Sequence, residues 1–126
     1  MRLEHIEKIM KPQFVWHKDP MKPMQTNELI EGSKDTARIV FVGIANMYGF
    51  YVADICEHLD IMHDSYVEKL SFFRQVYRDG VQGKHLSRDG QRIYRKIRLV
   101  LNAIQTTTKT NPYVKMEVYL DNDYQP

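Results

Sequence analysis

The chain has 126 residues, 43% of them hydrophobic and 27% charged, with a formal net charge of +2. That length allows one modest core and not two, the composition is that of a globular protein, and the balanced total charge says little about partners. The single cysteine, Cys56, excludes an internal disulfide and fits a reducing, cytoplasmic setting. No run approaches the roughly 20 apolar residues of a membrane span, and the charged opening MRLEHIEKIM lacks the apolar stretch of a signal peptide.

Leu3, Ile6, Ile9 and Met10 have helical spacing and predict a short amphipathic helix over residues 2–11. Pro12, Pro20 and Pro23 exclude long regular structure from 12–25, where Phe14, Val15 and Trp16 form an apolar island expected to dock on the core. Thr26 or Asn27 caps a short helical turn ending at Gly32, and Ser33 caps the next helix. That helix is apolar on more than one side (Ile39, Val40, Val42, Ala45, Met47) and is expected to be central and buried, ending at Gly49 in the left-handed conformation.

Val52 to Leu59 makes about two turns, with Val52, Ile55, Cys56 and Leu59 on one face. Asp60 starts a turn, and a helix follows from Ile61 to Tyr77, stopped by Asp79-Gly80. Ser87 caps a further helix over 88–105, whose apolar stripe is Ile93, Ile97, Val100, Leu101 and Ile104. From Tyr113 the period changes to two, with Val114, Met116, Val118 and Leu120 alternating with polar residues, which predicts one strand. It needs a partner, either Gln13–Lys18 or the same strand of a second subunit. The expected fold is mainly α: a helix-turn-helix bundle with a short C-terminal strand. It divides into an N-terminal helix and proline-containing arm (1–32), a helical domain (33–105), and a strand and tail (106–126).

The segment Ala37 to Val67 has the grammar of a helix-turn-helix, a unit that usually places one helix in the DNA major groove. Ile55 and Leu59 lie one turn apart and face the core, and the eight residues from Leu59 to Val67 bring Val67 back to it. Ser65 then stands near the start of the second helix, placed to meet a phosphate or base edge. Ala37-Arg38, the run Ile55-Cys56-Glu57-His58-Leu59 and the run Met62-His63-Asp64-Ser65-Tyr66-Val67 together resemble the C-terminal DNA-binding domain of the bacterial replication initiator DnaA, of the Trp-repressor-like group. The resemblance covers about residues 34–78. In the last run Ser65 and Val67 match the family signature, whereas its base-contacting Arg, His and Thr correspond to Met62, Asp64 and Tyr66, and the glycine of the turn is absent. What the resemblance implies is the helix-turn-helix fold and DNA binding. It does not imply nucleotide-driven initiation, because the chain carries no ATPase domain.

Charge is unevenly spread. Residues 50–70 hold five carboxylates (Asp54, Glu57, Asp60, Asp64, Glu68) against Lys69, a net of −4. Residues 84–105 hold six cations (Lys84, Arg88, Arg92, Arg95, Lys96, Arg98) against Asp89, a net of +5. Arg88, Arg92, Arg95 and Lys96 fall at i, i+4, i+7 and i+8, one basic stripe. It is either a phosphate-binding face or a solvated face paired with the acidic helices, within one molecule or across a dimer.

No catalytic constellation stands out. His63-Asp64-Ser65 are consecutive and cannot converge as a triad. Cys56 and His58 point to different sides of a helix, which argues against zinc, and no glycine-rich phosphate loop is present. The expectation is a non-enzymatic, cofactor-free regulator or accessory of replication, transcription or a mobile element, binding double-stranded DNA. His63, Ser65, Tyr66 and Lys69 are its candidate base or phosphate contacts. Arg38, Arg74, Arg88, Arg92, Arg95 and Lys96 supply non-specific affinity. The alternative is a helix-turn-helix that has exchanged DNA for a protein partner, through the acidic pair 52–68 or as a homodimer.

Overall fold

The computed structural model describes residues 1–11 and 27–108. They form five helices: α1 (Leu3–Met10), α2 (Asn27–Met47), α3 (Val52–Leu59), α4 (His63–Val81) and α5 (Arg88–Thr108). The expected mainly α bundle is what the described residues form, and none of them is in a strand. The expected strand at 113–120, the proline-containing segment and the C-terminal tail lie outside the described residues. Among the described residues no helix is long and apolar enough to cross a membrane.

The centre of the bundle is α2, which packs on α1, α3, α4 and α5. Every residue from Val40 to Met47 is buried, so this helix has no solvent side over two turns. Burying each large apolar chain of such a helix contributes about 1.5–3 kcal/mol. α1 covers it with Leu3, Ile6 and Met10, and α5 with Ile93, Ile97, Val100, Leu101 and Ile104, all buried as their spacing predicted.

Glycine placement departs from expectation at two points. The break expected at Gly32-Ser33 does not occur, and α2 runs unbroken from Asn27. A single interior glycine costs only about 1 kcal/mol, too little to divide a helix whose later turns are locked in the core. Nor does Gly80 stop α4, which continues to Val81. A Cβ at Gly80 would sink into the Tyr94 ring, and one at Gly43 into the Phe73 ring. These two glycines let neighbouring helices approach closely.

The true stops are Gly49 (φ 85°) and Gly83 (φ 73°), both left-handed. After α2, the Phe50 N–H donates to the Ala45 carbonyl at 3.1 Å and the Gly49 N–H to that of Asn46 at 3.0 Å. After α4, Lys84 and Gly83 donate in the same way to Asp79 (2.9 Å) and Gly80 (3.2 Å). This pair of bonds satisfies carbonyls that a helix end leaves orphaned.

Candidate nucleic-acid interface

Three residues, 60–62, join α3 to α4. No glycine is present, yet Asp60 adopts the left-handed conformation at φ 53°. Its N–H donates to the Glu57 carbonyl at 3.2 Å, and the Ile61 N–H to that of Cys56 at 3.0 Å. α3 thus closes by the same pair of bonds as α2, with aspartate in the glycine position, a substitution its short polar side chain tolerates. Met62 is extended and serves as the N-cap of α4 without a side-chain hydrogen bond. α4 therefore begins at His63 rather than at Ile61. Met62 is 80% exposed, and His63 and Asp64 follow it into solvent. The Asp64 carboxylate lies in the first turn, where the helix dipole favours negative charge.

Behind that tip, Tyr66, Leu70, Phe73 and Tyr77 are buried, a row at spacings of four, three and four. Tyr66 is fixed inward by a polar link, its hydroxyl accepting a hydrogen bond from Asn46 Nδ2 at 3.1 Å. The expected role of Tyr66 as a base or phosphate contact is therefore corrected, because a side chain 1% exposed does not meet a groove. Val67, expected in the core, is 42% exposed. Both corrections have one cause. The 60–62 turn sets α4 so that the residue seven after Leu59, not eight, faces inward.

Ser65 is half-buried. Its hydroxyl accepts a hydrogen bond from Lys69 Nζ at 3.0 Å, and that ammonium lies 3.7 Å from Asp35 Oδ1 on α2. These two candidate contacts are thus engaged with each other and with α2. His63 is exposed, its ring centroid 6.3 Å from that of Tyr66. With Val52, Val67, Leu70, Ser71 and the half-buried Arg74 it lines a recess of about 180 Å³ beside the tip. His63 and Arg74, proposed separately from the sequence, are brought together there.

α5 opens with Ser87, whose Oγ accepts the Gly90 N–H at 3.1 Å, the cap its sequence predicts. Of the basic stripe, Arg88, Arg92 and Arg95 are exposed and Lys96 is half-buried. Arg92 pairs with Asp89 of its own helix at 3.4 Å. Arg98 donates to the Tyr94 hydroxyl at 3.1 Å. Arg38 on α2 is half-buried.

Between the tip of α4 and this stripe runs a groove of about 450 Å³. It carries Lys69 and Arg92, but also Asp35, Glu68 and Asp89, so positive charge is interrupted between Ser65 and α5. Cys56 is half-buried, and burial pushes its thiol up from the ordinary value, away from the thiolate a metal or a nucleophile requires. Sequence spacing missed the two most exposed large apolar residues of this region, Tyr51 at 78% and Met62 at 80%. Each occupies the N-cap of a helix, a position that apolar periodicity does not mark. Comparison of the chain with protein-family models, with curated proteins and with solved structures finds no significant match.

Proposed function

We propose that the chain is a small DNA-binding protein, a regulator or accessory of replication, transcription or a mobile element. In this reading α3, the 60–62 turn and α4 form a helix-turn-helix of the DnaA C-terminal type, with the first turn of α4 in the major groove. The observation that carries the proposal is the division of α4. One face is anchored by Tyr66, Leu70, Phe73 and Tyr77, while Met62, His63 and Asp64 stand exposed at its tip. A reading helix requires both a fixed axis and a free first turn.

His63 is the exposed candidate for a base edge, and Arg74 shares its recess as a phosphate contact. Lys69 reaches a phosphate only by leaving Ser65 and Asp35. Arg88, Arg92 and Arg95, exposed along α5, supply affinity that does not depend on sequence.

The test is binding of the full chain to random duplex DNA across a salt series. The expected result is affinity that falls steeply with salt, by a log–log slope of about −0.9 for each phosphate neutralised. Arg92→Glu is expected to weaken binding to all sequences alike and flatten that slope by about 1. Unchanged binding by this variant removes α5 from the interface, and no binding at low salt ends the proposal.

A further inference from the structure

The two charged faces of the molecule adjoin at the groove that Glu68 and Arg92 both line, but among the described residues no ion pair joins them. On the acidic side, Asp54, Glu57, Asp60, Asp64 and Glu68 are all exposed. Among the described residues none of the five makes an ion pair, the bridges present using Glu7, Asp35 and Asp89 instead. On the basic side, Arg88, Arg92, Arg95 and Leu99 share one exposed row of α5 at spacings of four, three and four, about 16 Å long. The only ion pair that row makes among the described residues is Arg92 with Asp89, on the same helix.

Each face also carries apolar surface. Leu99, 43% exposed, ends the arginine row, and Tyr51, Met62 and Val67 stand 78%, 80% and 42% exposed among the carboxylates. Arginine forks fit carboxylates in pairs of parallel hydrogen bonds, and burying exposed apolar side chains beside such pairs adds hydrophobic stabilisation to the contact.

We infer that the acidic α3–α4 face of one copy of this chain docks on the arginine row of α5 of a second copy. A second copy is the occupant because the chain itself provides the complement to both faces: five carboxylates with apolar residues between them, and three arginines with a leucine beside them. The contact shares both α5 and the first turn of α4 with the proposed DNA interface, so duplex DNA and a second copy compete for the same surfaces. It does not depend on DNA binding being correct.

The test is the molar mass of the full chain in solution, at low and at high salt, for wild type and two surface variants. Arg95→Glu spoils the basic face and Glu57→Lys the acidic one, and both residues are exposed. Wild type is expected to self-associate at low salt and to dissociate at high salt. Each variant alone is expected to remain monomeric over at least a tenfold higher concentration. An equimolar mixture of the two is expected to form dimers, because the intact acidic face of one meets the intact basic face of the other. A monomeric wild type at low salt overturns the inference, as does self-association that survives either variant or a mixture that stays monomeric. The same samples with duplex DNA separate the two proposals. DNA binding by a monomeric protein leaves the DNA reading standing alone, and salt-sensitive self-association without DNA binding leaves only the contact between copies.

Discussion

α4 begins and ends at two junctions built to different standards. At its end, Gly83 takes the left-handed position and Ser87 caps the next helix through its hydroxyl. At its start, an aspartate holds the left-handed position, and Met62, the N-cap of α4, offers no side-chain hydrogen bond. The later junction uses the residues that backbone geometry favours. The earlier one departs from those preferences twice within three residues and leaves Met62 in solvent. Local rules are most often overridden where something other than stability is being selected, so this contrast supports the proposed reading in which the α3–α4 junction is the working edge and the α4–α5 junction is scaffold.

The largest expected effect lies on the scaffold side. Gly80→Ala forces a methyl group into the Tyr94 ring and is expected to cost about 2 kcal/mol, as overpacked cores do, read as a lower urea midpoint. An unchanged midpoint would mean that α4 and α5 are held apart and the scaffold assignment is wrong. Ser87→Ala removes the hydroxyl that holds the Gly90 N–H and is expected to cost about 1 kcal/mol, with no loss of affinity for any ligand of the α3–α4 edge. The smallest effect has the opposite sign. Asp60→Gly relieves a left-handed aspartate and is expected to raise stability by about 0.5 kcal/mol, the gain in the folded state being partly offset by a more flexible unfolded chain. A thermal melt reads it, and a destabilised variant would show that aspartate is itself the preferred residue of that turn.

The helices and most of the core were legible in the sequence because burial imposes period on side chains. Ile93, Ile97 and Ile104 announced α5, and Leu3, Ile6 and Met10 announced α1. What spacing did not fix was the rotation of α4. Tyr66 and Val67 are adjacent and both plausible core residues, and the choice between them was made by the 60–62 turn and by Asn46, twenty residues away. Glycines were ambiguous for a related reason. Gly49 and Gly83 end helices, whereas Gly43 and Gly80 lie inside them under aromatic rings that only the tertiary packing supplies. The candidate contacts were legible as a charge pattern rather than as a surface. Composition placed cations on α5 and anions on α3 and α4, but it did not show that Lys69 is turned toward Asp35, or that Lys69 and Arg92 share their groove with three carboxylates.

The burial of α2 has a kinetic consequence. Because α2 touches every other described helix, none of them lifts away without baring part of it, and the eight residues from Val40 to Met47 have no exposed side through which to open alone. Their amide hydrogens therefore trade for deuterium only when the whole bundle comes apart, while those at the exposed tip of α4 trade through small local excursions. The slowest-exchanging amides of α2 thus record the global opening equilibrium of the native protein in the absence of any denaturant.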